Sequence, residues 1–159
     1  MAGAEQRKEL IAKIRALPAG VEAAVKGLGE EQLDTRYRKD GWTVRQVVHH
    51  LADAHLNAFM RTKLILTEDK PTLKTYKQDA WAVLLDASKL DIQSSLLILH
   101  GLHERWSSLL DSLPASSWAR AGIHPERGEV TLADLLKLYA HHGENHLKQI
   151  ADLHAAKGW

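Results

Sequence analysis

Cysteine is absent from the 159-residue chain. The protein therefore has no disulfide, no thiolate metal ligand and no thiol nucleophile of its own. Any metal ion that the chain binds must be held by histidine, aspartate or glutamate side chains.

An excess of charge of one sign is also missing. The chain has 21 Lys and Arg residues against 20 Asp and Glu residues, which gives a formal net charge of +1. Binding to nucleic acid or to an anionic membrane surface relies on a strong positive field. Neither partner is therefore expected, and a small-molecule substrate is the better hypothesis.

Long hydrophobic runs are lacking as well. The longest stretch without Asp, Glu, Lys or Arg runs only from Ile92 to His103, whereas a membrane helix needs about 20 apolar residues. No segment is predicted to span a bilayer. The first nine residues carry charges where a secretory signal would have an apolar segment, so the expected location is the cytoplasm.

Strand-forming residues are few relative to helix-forming ones. The chain has 25 Leu and 21 Ala against 14 Val and Ile residues together, and long unbranched or small side chains lose the least rotamer freedom in helices. No segment shows sustained alternation of polar and apolar residues. Length and composition predict one all-α domain covering residues 1–159.

Four long helices are predicted from apolar spacing and from start and stop residues. The first runs from Ala4 to Leu17 and is ended by Pro18, and Val21–Leu28 forms a short second piece. Thr43, Asp91 and Thr131 are N-cap residues of the other three. These three helices are predicted to reach about Leu66, Leu113 and Ala156, the last stopped by Gly158.

The connections between these helices are long enough for extra elements. Residues 29–41 are expected to be turn-rich, Gln78–Ala87 to form a short helix, and Ala119–Val130 to form a hairpin or irregular loop. Such connections fit a four-helix bundle whose course need not be simply up-down-up-down. Bundles of this kind build metal sites from side chains that face inward.

The ten histidines can be sorted by helical register, because each residue advances a helix by about 100°. On the fourth helix His142 and His146 fall within the apolar stripe, whereas His141 falls opposite. On the second helix His50 lies on the flank of the stripe and His49 faces away. The register therefore selects one histidine from each adjacent pair.

His142 and His146 are four residues apart, so their imidazoles can reach a single cation. His50 from a facing helix supplies a third nitrogen and leaves one coordination position open, which is typical of a catalytic metal site. Three imidazoles suit Zn²⁺ or Ni²⁺ equally. The alternative is that these are hydrogen-bonded core histidines.

The remaining histidines are given other roles. His103 lies on the apolar stripe of the third helix and is predicted to be a buried partner of the site or a wall of its cleft. The others are predicted to be surface, rim or loop residues: His49, His55, His100, His141, His154 and, in the loop, His124.

No catalytic residue is assigned, because no carboxylate is placed at the predicted site. In zinc peptidases a glutamate directly follows the first histidine of the pair, but Gly143 holds that position here. The nearby carboxylates Glu144, Asp53 and Glu104 are all predicted to project away from the apolar faces.

Arg61 lies on the inward stripe of the second helix, close to Asn57. An inward arginine needs an anion or an internal carboxylate. These two residues are therefore candidates for the surroundings of the site, with Arg61 either in a structural ion pair, reaching solvent at the end of the bundle, or binding a substrate anion.

Several runs of residues carry a family resemblance. They are Glu31–His55 with its Gly-Trp-Thr-Val-Arg-Gln-Val-Val-His-His segment, Leu102–Trp106, the His-Pro-Glu loop at 124–126, and Leu138–His146. Together they resemble the YfiT-like metal-dependent hydrolases of the DinB superfamily over most of the chain.

The resemblance implies a four-helix bundle with an up-down-down-up course, a homodimer, and one divalent nickel or zinc ion per chain. It places the metal on His50, His142 and His146, the set that the helical registers select. The Glu144 and Asn145 residues between the last two histidines depart from the family pattern.

Three functions compete at this stage. The first is a hydrolase in which the cation activates water at the open position. The second is a thiol S-transferase, similar to bacillithiol transferases of the wider superfamily, in which the metal binds and activates a low-molecular-weight thiol. The third is a metal-binding or dimerisation module, which predicts a saturated metal and no accessible pocket.

Overall fold

Four long helices and a small hairpin make up the fold in the computed structural model, which describes residues 3–159. The long helices are α1 (Ala4–Val25), α3 (Val44–Thr67), α6 (Gln93–Asp111) and α7 (Leu132–Lys157). The short elements are α2 (Glu30–Leu33), α4 (Gln78–Ala82), α5 (Leu85–Ser88), a 3₁₀ turn (Ala115–Ala119) and the strands β1 (Ala121–His124) and β2 (Gly128–Thr131).

Helices α1 and α3 lie diagonally across the bundle, and each packs against both α6 and α7. Helix α1 is antiparallel to α6 and parallel to α7. Contacts between α1 and α6 show the antiparallel direction: Arg15 meets Asp111, and Glu22 meets His100. Contacts between α1 and α7 show the parallel direction: Lys13 meets Glu144, and Gly20 meets Leu147.

Helix α3 is parallel to α6 and antiparallel to α7. The defining contacts are His49 with Ser95 and Thr62 with Trp106 in the first pair, and His50 with His146 and Arg61 with Tyr139 in the second. With α1 taken as up, α3 and α6 both run down and α7 runs up. The up-down-down-up four-helix bundle is therefore confirmed.

Capping side chains fix the starts of the helices that carry the central histidines. Thr43 accepts a hydrogen bond from the backbone N–H of Gln46, whose side chain bonds back to the N–H of Thr43. Thr131 and Asp134 form the same reciprocal pair at the start of α7. Gly158 ends α7 in a left-handed conformation with φ of 70°. These predicted boundaries are confirmed.

The predicted end of the first helix at Pro18 is wrong, because α1 continues through Pro18 to Val25. A proline lacks an N–H, so the carbonyl four residues earlier, that of Ile14, loses its helical donor. The Nδ1–H of the His103 ring on α6 donates to that carbonyl at 2.6 Å. A hydrogen bond from a neighbouring helix therefore compensates for the break, and the separate piece predicted for Val21–Leu28 merges with α1.

The connections contain more structure than their composition indicates. The turn-rich segment at 29–41 includes α2, and the predicted short helix over Gln78–Ala87 is divided into α4 and α5. The Ala119–Val130 segment forms the predicted hairpin, with Ala121 opposite Thr131 and His124 opposite Gly128. Within residues 3–159, no helix is long and apolar enough to cross a membrane.

Two apolar clusters fill the bundle on either side of a layer of histidines. One is centred on Trp106 and Leu136, and the other on Leu51 and Ile150. Along α7 the first cluster ends at Ala140 and the second begins after His146. The histidines therefore lie where the apolar core is interrupted.

Candidate metal centre

Three histidine rings converge between α3 and α7. The Nε2 atom of His142 lies 3.1 Å from Nε2 of His50 and 3.2 Å from Nε2 of His146. One ring nitrogen from each residue falls within 4.8 Å of the other two. Two nitrogens bound tetrahedrally to one Zn²⁺ are separated by about 3.3 Å, so this spacing matches a shared cation.

The adjacent histidines lie elsewhere. His141 is exposed on the outer face of α7, as its register predicts. His49 also points away from the three rings, but it is buried and not on the surface: its Nδ1 lies 2.8 Å from Ser95 Oγ and its Nε2 lies 3.1 Å from the carbonyl oxygen of Leu90. The predicted surface position of His49 is wrong, because α3 packs against α6 on this second face.

Hydrogen bonds to the rings determine which nitrogens are free. Nδ1 of His146 donates to Oε1 of Gln149 at 2.8 Å, so a neutral His146 ring carries its proton there and presents a bare Nε2. Nδ1 of His142 lies 3.2 Å from Nε2 of His55. When Nδ1 of His142 donates in that contact, Nε2 of His142 carries no proton. The lone pairs on Nε2 of His142 and Nε2 of His146 then face each other.

Burial keeps the three rings neutral, which is the form that binds metals. Burial, together with the proximity of the other rings, lowers the pKa of His50 to about 3, and burial chiefly lowers the pKa of His142 to about 3. Burial lowers the pKa of His146, against the opposing effect of its bond to Gln149. Facing lone pairs on neutral imidazoles fit a bound cation.

His55 is completely buried behind His142, where the sequence predicts a surface residue. The register does contain the signal, because residue 55 is four positions after Leu51 and three before Ala58, both on the inward stripe. Among the described residues, no hydrogen-bond partner is found for Nδ1 of His55.

His103 stacks on His55, with ring centroids 4.9 Å apart and an angle of 19° between the planes. Its Nδ1 is bonded to the backbone of α1, and within residues 3–159 its Nε2 has no partner. Burial lowers its pKa to about 4. His103 is therefore a buried neighbour of the site and does not join the three converging rings.

The other histidines lie outside this layer. His100 is exposed beside Glu22, His154 is half-buried against Trp159, and His124 ends β1. The predicted surface and loop positions fit His100 and His124, while His154 is more enclosed than predicted.

Trp42 was not predicted as a site residue, although it lies in the Gly-Trp-Thr run. Its ring centroid lies 4.5 Å from that of His50 and 6.4 Å from that of His146. It directly precedes Thr43, the N-cap residue of α3. Trp42 therefore packs against two of the three rings on the side of the 29–43 connection.

Two cavities border the three rings. One, of about 190 Å³, lies towards the hairpin and is lined by His50, His142, Arg61, Tyr76, Tyr139 and Arg127 among others. The second, of about 390 Å³, lies towards the 29–43 connection and is lined by all three histidines together with Trp42, Asp79 and Gln149 among others. The open side of the histidine cluster is therefore accessible from two directions.

Arg61 and Asn57 differ in their relation to the site. Arg61 is buried and lines the hairpin-side cavity, where Nη1 donates to the Tyr139 hydroxyl at 2.9 Å and Nη2 donates to the Lys74 carbonyl at 2.6 Å. Asn57 does not line that cavity, and its side-chain amide donates to the Asp53 carbonyl of its own helix at 2.8 Å. Asn57 is thus half-buried on α3 and lines neither cavity.

The carboxylates that the sequence places away from the site do lie away from it. Glu144 is exposed and pairs with Lys13 at 2.7 Å, and Glu104 is exposed on α6. Asp53 is half-buried, and its burial and the nearby Asp86 raise its pKa.

A carboxylate that the sequence did not indicate, Glu126, lines the hairpin-side cavity from the turn between β1 and β2. A glutamate at position 143 would require the Leu17 side chain to move, because a Cβ there would lie 2.7 Å from it.

Comparison with known proteins gives a consistent assignment. The profile of the DinB superfamily matches residues 5–150. A protein of Geobacillus kaustophilus named "Putative metal-dependent hydrolase" is 51% identical over 154 residues, which cover 96% of this chain and 86% of the relative. A protein of the same name from Bacillus cereus is 48% identical over 149 residues, 94% of this chain and 86% of the relative.

Solved structures share the fold. YfiT from Bacillus subtilis, described as "a probable metal-dependent hydrolase with an unusual four-helix bundle topology", superposes with a TM-score of 0.97 at 41% identity and covers 100% of this chain and 91% of its own. The four-helix bundle protein TT2238 superposes with a TM-score of 0.61 at 18% identity, covering 91% of this chain and 98% of its own. The second likeness concerns the fold alone.

Proposed function

The chain belongs to the DinB superfamily, and from this we propose that it is a hydrolase that depends on one divalent metal ion, zinc or nickel, held by His50, His142 and His146. The observation that carries the proposal is the convergence of three neutral, buried imidazole nitrogens beside two cavities. The name of the relatives, metal-dependent hydrolase, supports the same conclusion.

The side chains around the cluster hold and orient the three rings. Gln149 fixes the proton of His146 on Nδ1, and His55 positions the ring of His142 through its Nδ1. Such contacts align metal-binding rings and increase their basicity. Trp42 packs against His50 and His146 and restricts the orientation of these two rings. A bound divalent cation supplies Lewis acidity for the attack on an electrophilic substrate.

We expect that no side-chain carboxylate is an obligatory general base. Glu144→Gln, Asp53→Asn and Glu104→Gln should each change kcat/KM by less than about ten-fold, because these groups lie outside the two cavities. The kinetics are measured at matched metal loading. Three further variants test the carboxylates that do line the cavities: Glu126→Gln on the hairpin side, and Asp40→Asn and Asp79→Asn towards the 29–43 connection. A loss of about 10²-fold or more in any of the six, with the metal retained, would contradict this prediction.

A thiol S-transferase is the second candidate, in which the metal binds and activates a low-molecular-weight thiol. The specific observation in its favour is that two cavities share His50, His142 and Gln78 in their linings. A thiol and an electrophile could therefore approach the cluster from different sides. The chain has no cysteine, so the thiol must come from outside. Both cavities favour an enzyme over a purely structural metal-binding module.

The deciding experiment compares the two reactions in one preparation. The protein is stripped of metal, reloaded with Zn²⁺ or Ni²⁺, and assayed against ester, amide and phosphoester panels in parallel with pairs of a thiol and an electrophile. We expect metal-dependent hydrolysis without added thiol. Turnover only in the presence of a thiol would establish the transferase instead, and no turnover with an intact metal site would favour a binding protein.

We further propose that the protein is a homodimer, which the family resemblance supports. Exposed apolar side chains are available on the segment that includes α4 and α5, where Leu84 is 54% and Leu85 is 68% exposed, with Trp81 beside them. Light scattering at micromolar concentration should give twice the chain mass. Leu85→Glu should shift the population towards the monomer, whereas a wild-type monomer would refute the proposal.

A further inference from the structure

The hairpin-side cavity contains a buried cation without a counter-charge. Arg61 is 8% exposed, and no ion pair in residues 3–159 includes it. Two of its nitrogens donate to neutral oxygens, those of Tyr139 and Lys74, and Nε is buried without a partner in the described chain. A buried guanidinium without an anion is costly, and this cost is recovered when an anion binds.

A structural role alone does not account for this arrangement. The bonds to Tyr139 and to the Lys74 carbonyl do connect α3, α7 and the segment after Pro71. A neutral donor would make the same bonds without a desolvated charge, and the cavity beside Arg61 would not be needed. The position of Arg61 against open space is therefore the feature to be explained.

Other residues of the cavity add positive charge and hydrogen-bond donors. Arg127 lines its mouth, and the carboxylate in the lining belongs to Glu126. Partial burial and then the charges of Arg61 and Arg127 lower the pKa of His124, so this ring is neutral and adds no charge. Two guanidiniums thus face one carboxylate.

The two tyrosines of the cavity stay protonated. Burial raises the pKa of both Tyr76 and Tyr139. The Tyr139 oxygen accepts from Arg61, so its own O–H remains able to donate to a ligand. Guanidinium and phenol donors around one cavity match the acceptor-rich surface of an oxyanion.

We propose that this cavity binds the anionic group of the substrate, a carboxylate or a phosphate, with Arg61 as the buried anchor and Arg127 as a second cation at the mouth. The volume of about 190 Å³ corresponds to roughly six waters at about 30 Å³ each. That is room for one oxyanion and the atoms that join it to the reacting group. Because His50 and His142 line the same cavity, the anion places the rest of the substrate against these two rings. This inference rests on the proposed function and specifies its substrate class.

The test is direct binding of inorganic phosphate and of malonate to the full chain, both metal-loaded and metal-free, at constant ionic strength. Titration calorimetry gives Kd, and nitrogen-resolved NMR follows the Nε–H of Arg61. In the metal-free chain we expect saturable binding that shifts this signal. A preference for phosphate or for malonate tells which oxyanion the cavity suits.

Variants separate the cavity from general charge effects. Arg61→Gln should raise Kd at least about ten-fold, because a buried charge-assisted contact is lost, and Arg127→Gln should raise it about three-fold. Glu126→Gln should lower Kd. Arg105→Gln removes the same charge from the exposed face of α6, outside the cavity lining, and should leave Kd unchanged. Arg61→Lys keeps the charge and should retain part of the binding.

Specific outcomes would overturn the inference. An unchanged Kd in a folded Arg61→Gln protein would do so, as would binding that requires the metal and ignores Arg61. If Arg61→Gln does not fold, opposite shifts in Arg127→Gln and Glu126→Gln still support the cavity, and no shift in either rejects it. A different result would contradict the proposed function alone. In that case the protein would bind phosphate in a way that depends on Arg61, but it would bind no metal ion.

Discussion

His142→Ala is expected to abolish metal binding, the largest effect of any single substitution in this chain. His142 is the middle member of the cluster, because its Nε2 lies 3.1 Å from that of His50 and 3.2 Å from that of His146. Without it, only two nitrogens remain, from different helices. Metal content after dialysis should fall from about one ion per chain to near zero, and activity should fall with it.

Thermal denaturation gives a second readout that does not require a substrate. A ligand that binds only the folded state stabilises it by about 2.7 kcal/mol at 100 times Kd and about 4.1 kcal/mol at 1,000 times Kd. Added Zn²⁺ or Ni²⁺ should therefore raise the Tm of the wild type but not that of His142→Ala.

The matched control is His141→Ala, which removes the exposed neighbouring ring and should keep both the metal and the shift in Tm. The assignment fails if His142→Ala retains a full complement of metal, or if His141→Ala loses it.

The sequence predicts the three converging histidines because helical periodicity is rigid. Once the apolar stripes of α3 and α7 are recognised, His50, His142 and His146 follow from the angle per residue. The caps at Thr43 and Thr131 fix where each helix begins, and hence the height of the rings along the bundle.

A single stripe does not describe a helix that packs against two neighbours, and this is where the prediction was incomplete. Helix α3 contacts both α6 and α7, so its buried arc is wider than the face that carries His50. His49 is consequently buried against Ser95, and His55 lies behind His142. The sequence of one helix does not say how many helices surround it.

Residues on connections could not be placed from the sequence at all. Trp42, Tyr76, Glu126 and Arg127 reach the site from loops or from the hairpin, whose paths depend on long-range contacts. One such contact is the backbone hydrogen bond from Leu73 to the Ile123 carbonyl, which ties the segment after Pro71 to β1. Helix register therefore predicts the positions of the three rings, whereas the residues around the rings depend on the conformations of the loops.

His103→Phe is expected to destabilise the fold by about 1–3 kcal/mol, because it leaves the buried Ile14 carbonyl without a donor. For a chain of this length, that corresponds to a fall in Tm of about 2–4 °C per kcal/mol. Phenylalanine keeps the shape of the ring and its stacking on His55, so the hydrogen bond is the main difference. The measurement is chemical denaturation of the metal-free protein, in which metal binding makes no contribution.

The cause can be isolated by changing the proline that creates the unpaired carbonyl. Pro18→Ala restores a backbone N–H four residues after Ile14, which can donate to the same carbonyl within α1. In the Pro18→Ala background, His103→Phe should lower the free energy of unfolding by much less than it does in the wild type. The difference between these two decreases is the coupling energy of a double-mutant cycle, and about 1 kcal/mol or more is expected.

His100→Phe is the matched control, since it changes an exposed histidine on the same helix and should alter stability by less than about 0.5 kcal/mol. If His103→Phe lowers the free energy of unfolding equally with and without Pro18, the hydrogen bond to the Ile14 carbonyl is not the source of the stabilisation by His103. A clear coupling would mean that a side chain of α6 allows α1 to continue through a proline. The buried histidine then serves the fold, and the three converging rings remain the ones available to a metal.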